Sequence, residues 1–177
     1  FFDTLDKKPF IINSCRGSVV DNPAMKKALK TEKITGTVID CWENEPDIDR
    51  ELLQMADIAT PHIAGYSADG KWTATKMSLE NLNEFFELDV YPIKLMQLPQ
   101  PNNPVIDLRE VELDYQLAYA VWQTYNPMME TMNLKADPDK FYWFRSNYPL
   151  RREYGAYKVK NADSRVVPIL KQLGFDV

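Results

Sequence analysis

Histidine, cysteine and glycine are scarce in this chain of 177 residues, which holds one histidine, two cysteines and six glycines. Cys15 and Cys41 are too few for a disulfide scaffold, so the sequence favours a reducing compartment, and we expect the cytoplasm. One histidine and two separated cysteines do not have the ligand spacing of a usual zinc site. We therefore expect no metal centre.

Long apolar runs and an excess of positive charge are also missing. No apolar run of about 20 residues appears, so we expect no membrane-spanning helix. The net charge is −5, with 21 basic and 26 acidic residues mixed along the chain, which argues against general nucleic-acid binding. The apolar fraction of 45% is sufficient for a packed core, so we expect a globular protein.

The six glycines, at positions 17, 36, 65, 70, 155 and 174, never lie two residues apart. The Gly-x-Gly-x-x-Gly turn, which holds a dinucleotide pyrophosphate at a helix N-terminus, is therefore absent from this sequence. The chain also opens on Phe1 and Phe2, in an amphipathic segment, rather than on methionine. We interpret the sequence as part of a longer protein.

Residues 9–60 alternate between short apolar runs and helix signals. The apolar runs predict strands over 9–14, 37–42 and 56–60, and the first and third are predicted to be buried. Asp21, followed by Pro23, is an N-cap signal for a helix that reaches about Lys33, and Asp49 can cap a second, shorter helix. Strand, helix, strand, helix, strand at close intervals predicts an α/β fold, with a parallel sheet and right-handed crossovers.

Ionisable side chains follow each of the three predicted strands. Arg16 follows the first, Asp40 ends the second with Glu45 in the loop beyond it, and His62 follows the third. Each one alone can be a surface charge, a strand cap or a structural imidazole. Because parallel strands bring their carboxyl ends to one edge of the sheet, the four side chains are expected to converge there, where α/β proteins bind ligands.

These residue types suit the oxidation of an alcohol. A neutral His62 can accept the hydroxyl proton as hydride leaves the same carbon. A carboxylate on the other ring nitrogen would fix the tautomer and favour the imidazolium form, and Glu45 is the candidate. Arg16 can bind a substrate carboxylate through two parallel hydrogen bonds.

Residues after Gly65 predict one long helix and then a boundary. Helical spacing predicts a helix over 69–88 whose apolar stripe packs in a core; its members are Trp72, Thr75, Leu79, Leu82 and Phe86. Residues 91–98 are apolar and are predicted to be extended. Three prolines within 99–104 cannot continue a helix or a central strand, so this segment is predicted to be a linker.

The tail from residue 105 predicts a strand over 105–108 and helical structure over 112–132 that is divided at Pro127. A last helix is predicted over 163–174, capped by Asp163 or Ser164 and ended by Gly174, with an edge strand over 175–177. Residues 137–157 are rich in aromatic side chains and also contain Arg145, Arg151 and Arg152. This composition is compatible with a small core or with a homodimer interface. A platform for single-stranded nucleic acid is a third alternative, disfavoured by the acidic composition.

Three segments, in order and spacing, resemble the NAD-dependent D-2-hydroxyacid dehydrogenases: Ile12–Asp21 (INSCRGSVVD), Asp40–Pro46 (DCWENEP) and Thr60–Ser67 (TPHIAGYS). The resemblance implies that residues 1–98 are the C-terminal half of a Rossmann-type NAD-binding domain with the helix that leads back to the substrate domain. It implies a small α+β dimerisation domain over 105–177, after the 99–104 linker.

The resemblance also implies roles for single residues. Arg16, Glu45 and His62 would be catalytic, with Arg16 on the substrate carboxylate and carbonyl oxygen and Glu45 paired with His62. Tyr66 would reach the substrate together with Arg16. The residues that would contact NAD are Ser14, Cys15, Arg16, Asp40 and Gly65, among which Asp40 would hold the nicotinamide carboxamide. Cys15 replaces a small hydroxyl residue common in the family, and hydride transfer requires no thiol nucleophile.

The implied activity is NAD-dependent oxidation of a small phosphorylated 2-hydroxy acid by a homodimeric enzyme. Two alternatives stay open at this stage. Another D-2-hydroxy acid can be the substrate, or the chain as given can be a non-catalytic dimerisation fragment. For the chain alone we expect very weak NAD binding and no activity, because the phosphate-binding turn is missing.

Overall fold

A computed structural model of the chain describes residues 1–88 and 97–177. The described strands are Phe10–Asn13 (β1), Gly36–Ile39 (β2), Ile58–Ala59 (β3), Val105–Asp107 (β4) and Lys158–Lys160 (β5). The described helices are Asn22–Lys30 (α1), Arg50–Met55 (α2), Ala68–Phe85 (α3), Leu113–Thr124 (α4), Met128–Ala136 (α5), Phe141–Ser146 (α6) and Val167–Leu173 (α7).

The chain forms two compact units, each made of two separate segments. The first contains Phe1–Gly65 and Pro127–Pro149, and the second contains Tyr66–Asn126 and Leu150–Val177. The sequence predicted three consecutive regions: a partial NAD-binding domain over 1–98, a linker over 99–104 and a dimerisation domain over 105–177. This division stays a prediction. Packing within the structure groups part of the tail with the first 65 residues.

The first unit contains the predicted parallel sheet. Its strands follow the order β1-β2-β3, with Phe10 opposite Gly36 and Ile39 opposite Ala59. Helix α1 connects β1 to β2, and α2 connects β2 to β3. The predicted α/β fold with strand-helix-strand crossovers is confirmed.

Both predicted N-caps of this unit are present. The Asp21 carboxylate accepts a hydrogen bond from the Ala24 amide at 2.8 Å, and Asp49 accepts one from the Leu52 amide at 3.0 Å. Such bonds satisfy amides that have no partner inside the helix. Helix α1 ends at Lys30, earlier than predicted, and Glu32 adopts a left-handed backbone with φ of 53°.

Helices α5 and α6 complete the core of the first unit. Leu134 and Phe141 are fully buried in a cluster that also contains Ile39, Leu52 and Leu53. Polar contacts add to this packing, since the Ala59 amide donates to Thr131 Oγ1 at 3.1 Å and Lys135 Nζ donates to the Ala56 carbonyl at 2.6 Å. A segment of the tail is therefore built into the unit that carries the parallel sheet.

Strand β1 lies at the edge of its sheet and is less buried than its apolar sequence predicts. Phe10 is 49% and Ile12 68% exposed. The prediction of a buried strand is wrong for this face, because neighbouring residues of the described chain cover only the side that carries Ile11 and Asn13.

The second unit has its own core around a two-stranded parallel sheet of β4 and β5. Helix α7 ends as predicted at Gly174, which adopts a left-handed φ of 100°. The helix begins at Val167, and the predicted cap by Asp163 or Ser164 is wrong, because the Asp163 carboxylate instead accepts from the amide and the Nε of Arg165. Asp176 forms a bridge with Lys158, which extends the sheet at its edge.

Helix α3 forms as predicted, but its apolar stripe is not buried. Ser67 caps the helix by accepting from the Gly70 amide at 2.9 Å. No residue of the helix is buried among the described residues, and Leu79 and Leu82 are 41% and 49% exposed. The predicted core packing of this stripe is therefore wrong, because the described part of its unit does not cover that face.

Two further predictions concern the regions beside α3. The extended segment predicted over 91–98 lies mostly outside the described residues, which resume at 97. Among the helices that the structure describes, none is both long enough and apolar enough to cross a bilayer.

Candidate active site

The loop after β1 is fixed by the last side chain of that strand. Asn13 is buried, and its Nδ2 donates to the carbonyls of Arg16 and Cys41, each at 3.1 Å, while its Oδ1 accepts from the Cys15 amide at 3.2 Å. These bonds tie the loop from Ser14 to Arg16 to the carboxyl end of β2. Asn13 was not among the predicted site residues; the available signal was a polar side chain at the end of an apolar run.

Gly17 allows this loop to approach the next one closely. A Cβ at Gly17 would lie 2.0 Å from the Trp42 carbonyl oxygen, a backbone atom that has no rotamer by which to move away. The glycine therefore meets a requirement for close backbone packing. The loops after β1 and β2 are held against each other at the carboxyl edge of the sheet.

Asp40, which is buried, organises the loop after β3. Its Oδ1 accepts from Thr60 Oγ1 at 2.7 Å and from the amides of Ile63 and Ala64 at 2.7 and 3.0 Å. The carboxylate thus satisfies the amides of two consecutive residues directly after His62. This structural role does not test the predicted contact with nicotinamide, which stays a prediction.

Cys41 is buried beside two carboxylates. Burial, together with the negative charges of Asp40 and Glu45, raises the pKa of the Cys41 thiol to about 12, and the positive charge of Arg16 opposes this effect. The thiol is therefore protonated at neutral pH and is a poor nucleophile. Its pKa also indicates that the charges of Asp40, Glu45 and Arg16 all act on one small region of the protein.

Glu45 and His62 are in direct contact. The His62 Nδ1 lies 2.9 Å from Oε2 and 3.1 Å from Oε1 of Glu45, and the two side chains are only 22% and 16% exposed. The Trp42 amide donates to Glu45 Oε1 at 2.8 Å, which fixes the carboxylate in place. A carboxylate on Nδ1 selects the ring orientation that presents Nε2 for proton exchange.

The backbone of His62 adopts the left-handed region with φ of 57°. This conformation is uncommon outside glycine, although histidine is among the residues enriched there. It is maintained by the bonds from Ile63 and Ala64 to Asp40 and by the contact of the ring with Glu45. Strained residues of this kind concentrate at functional sites.

A second cation lies beside the pair of Glu45 and His62. Arg145, from α6, places its Nη1 3.7 Å from Glu45 Oε2, and its side chain is 28% exposed. The sequence predicted Arg145 only as an interface anchor. Because it lies a hundred positions beyond Glu45, no local pattern indicates this contact.

The other predicted site residues are placed less closely. The Arg16 guanidinium donates to the Cys15 carbonyl at 2.6 Å and is exposed, and no hydrogen bond or ion pair within the described residues joins it to Glu45 or His62. Ser14 and Cys15 are exposed beside it. Tyr66 belongs to the second unit, where Lys71 Nζ lies 4.5 Å from the centre of its ring.

Two of the strand ends carry exposed small residues. Gly65 is exposed, and a Cβ there would meet nothing within 4 Å, so the loop after β3 leaves its backbone accessible. Ser14 and Cys15 expose backbone and small side chains at the neighbouring strand end. Within the described ranges no group of three or more His, Cys, Asp or Glu residues could hold a metal ion.

Comparison with known families agrees with this geometry. Residues 1–64 match the family model of the D-isomer specific 2-hydroxyacid dehydrogenase, NAD binding domain. The predicted resemblance and the Rossmann-type fold class are confirmed, and the matched model is that of an NAD-binding domain, in agreement with the predicted cofactor. Residues 97–174 match a second model, described as a domain of unknown function (DUF3410).

Similar proteins align with nearly the whole chain. It is 42% identical over 170 residues to the erythronate-4-phosphate dehydrogenase of Porphyromonas gingivalis, with 96% of this chain and 46% of the relative aligned. It is 44% identical over 160 residues to the enzyme of that name in Bacteroides thetaiotaomicron, covering 90% of this chain and 43% of the relative. The chain therefore spans a little under half the length of these relatives.

Proposed function

We propose that the full-length protein oxidises 4-phospho-D-erythronate to the 2-oxo acid with NAD, in the biosynthesis of pyridoxal phosphate. The observation that carries the proposal is the contact of His62 Nδ1 with the Glu45 carboxylate at the carboxyl edge of a parallel sheet. The names of the relatives support the choice of substrate. Oxidation of another D-2-hydroxy acid is the alternative within the same chemistry.

In this mechanism His62 is the acid and base. Its neutral ring takes the hydroxyl proton at Nε2, while Glu45 holds Nδ1 and stabilises the imidazolium that forms. The Trp42 amide keeps the carboxylate in place. When bound, NAD would supply the hydride acceptor, and the carbon that bears the hydroxyl group would lose a hydride as that hydroxyl gives its proton to His62.

Arg16 and Tyr66 are the proposed substrate residues. The exposed guanidinium of Arg16 would bind the substrate carboxylate and polarise the neighbouring oxygen. Ser14, Cys15, Asp40 and Gly65 would contact the nicotinamide end of the cofactor together with Arg16. The free thiols of Cys15 and Cys41 accord with the proposed cytoplasmic location, where thiols stay reduced.

Turnover of the full-length protein on a panel of 2-hydroxy acids tests the function. The panel contains 4-phospho-D-erythronate, D-erythronate, D-lactate and D-glycerate, each with NAD, and NADH formation is measured at 340 nm, the usual absorbance of the reduced cofactor. We expect the highest kcat/KM for the phosphorylated four-carbon acid. A higher kcat/KM for an unphosphorylated acid would favour the alternative substrate, and no oxidation of any acid would refute the proposal.

Glu45→Gln is expected to move the pH profile of oxidation to lower pH by about 1 unit. The glutamine keeps the size of the side chain but removes the negative charge that favours the imidazolium, so the neutral base becomes available at lower pH. The rising limb of kcat against pH measures this shift, with Glu43→Gln as the control, because the Glu43 carboxylate accepts from the Asn22 amide instead. If the rising limb of kcat against pH is the same in Glu45→Gln as in wild type, Glu45 does not act on His62 in the reaction.

We also propose that residues 105–177 form a homodimer interface. Each unit has exposed aromatic side chains in this segment: Tyr115, Tyr119 and Trp122 on α4 of the second unit, and Tyr142 and Trp143 on α6 of the first. Aromatic residues of this kind are enriched at interface cores. A non-catalytic role as a dimerisation fragment is the second candidate for the chain taken by itself.

Sedimentation velocity of the 177-residue chain at about 10 µM, a concentration at which interfaces of standard size associate, is expected to give a dimer. Trp122→Ser is expected to raise the dimer dissociation constant about tenfold or more. Met77→Ser, which changes an exposed apolar residue of α3 outside this segment, is the control. A monomer at this concentration would contradict the proposed interface.

A further inference from the structure

The Glu45 carboxylate has three partners: the His62 ring, the Trp42 amide and the Arg145 guanidinium. The role of Glu45 as the partner of His62 does not require the third. His62 Nδ1 lies 2.9 Å from Oε2, the Trp42 amide donates to Oε1 at 2.8 Å, and Arg145 Nη1 lies 3.7 Å from Oε2. Histidine and arginine therefore share one carboxylate oxygen. This arrangement divides the negative charge of Glu45 between a titratable ring and a permanent cation.

Arg145 is held in this position by the packing of its helix. Phe141, four residues earlier in α6, is fully buried in the core of the first unit, and Phe144 packs against the same core. Residues four apart lie on one face of a helix, so the buried Phe141 directs Arg145 toward the sheet. The Arg145 side chain is 28% exposed, and its charge is correspondingly less screened than that of a surface arginine.

We infer that Arg145 is a positioning residue that shares the Glu45 carboxylate with His62 and lowers the pH at which the ring takes up a proton. A positive charge beside Glu45 offsets the stabilisation that the carboxylate gives to the imidazolium. The neutral ring, which is the form that acts as a base, is thereby favoured over the imidazolium. The catalytic consequence rests on the proposed oxidation; the effect on the ring does not.

Other charged groups face His62 and remain unchanged in the test. Asp40 binds the amides of Ile63 and Ala64. The positive charge of Arg16 reaches the same region, since it acts on the Cys41 thiol, which itself is uncharged at neutral pH. Replacing Arg145 thus removes one cation from a fixed background.

The single histidine of the chain makes a direct measurement possible, because His62 gives the only imidazole signal in a proton–nitrogen NMR titration of the 177-residue chain. Arg145→Gln is expected to raise the titration midpoint of this signal by about half a pH unit. Arg145→Lys, which keeps the charge, is expected to leave the midpoint closer to wild type than Arg145→Gln does. Glu45→Gln shifts it in the opposite direction.

Lys140→Gln is the matched control. This substitution also removes one positive charge, at the residue just before α6. Lys140 Nζ pairs with Asp137 at 2.6 Å and not with Glu45. We expect no change in the midpoint. If Arg145→Gln does not fold by circular dichroism, Arg145→Met retains the apolar part of the side chain and takes its place.

An Arg145→Gln midpoint equal to or below that of wild type would overturn the inference. In full-length Arg145→Gln, the rising limb of kcat against pH is expected to move to higher pH by the same amount. The NMR titration needs neither substrate nor turnover. The inference about Arg145 and the proposed oxidation can therefore be refuted independently. A full-length protein that oxidises no 2-hydroxy acid refutes the proposed function and leaves the titration result unaffected.

Discussion

His62→Ala is expected to lower the kcat of the full-length protein by about 100-fold or more, the usual size of a general acid and base contribution. Without the ring, no described side chain in contact with Glu45 can accept the hydroxyl proton. KM for the hydroxy acid is expected to change much less, because Arg16, and not His62, is proposed to bind the substrate carboxylate. Initial rates over a range of substrate concentrations separate the two parameters.

His62→Asn is the control for backbone strain. The φ of 57° at this position is adopted more easily by asparagine than by alanine, so the asparagine variant preserves the turn without providing a base. Both variants are expected to lose activity to the same extent. Activity close to wild type in either one would show that His62 is not the acid and base, and recovery in the asparagine variant alone would assign the loss to the backbone.

Phe141→Ala is expected to lower the free energy of unfolding of the first unit by about 3–5 kcal/mol. The Phe141 ring is fully buried among residues of the sheet and of α1 and α2, so its removal leaves a cavity that the surrounding core can fill only in part. Denaturant unfolding of the 177-residue chain, followed by circular dichroism, measures the change. The large effect is expected because a segment more than 60 residues beyond Gly65 is part of this core.

Tyr142→Ala provides the comparison within the same helix. Tyr142 is 57% exposed, and surface substitutions usually change the free energy of unfolding by about 0.5 kcal/mol or less. Equal, small effects at both positions would mean that α6 does not belong to the first unit. Such a result would also remove the physical basis for placing Arg145 beside Glu45.

The parts of the fold that follow from local chemistry were predictable. Asp21 and Asp49 mark helix starts because a short side-chain carboxylate can accept from the free amides of the first turn. The alternation of strands and helices predicted a parallel sheet, because such a sequence has few ways to connect its strands. The same argument brought His62 and Glu45 to one edge, where the structure places them in contact.

Other features were not predictable because they depend on which surfaces meet. The apolar pattern of β1 is the same whether its face is covered or open, and Phe10 and Ile12 are exposed at the edge of the sheet. The stripe of α3 has helical spacing but no cover among the described residues. Periodicity identifies an apolar face; it carries no information on what packs against that face.

The sequence by itself determined the order of the elements in the parallel sheet, the N-caps of α1 and α2 and the identity of the side chains at the strand ends, because each depends on neighbours a few positions away. Only the tertiary structure decided that 127–149 completes the first unit and that Arg145 reaches Glu45. Contacts between positions a hundred residues apart depend on how whole helices pack. No local pattern encodes them.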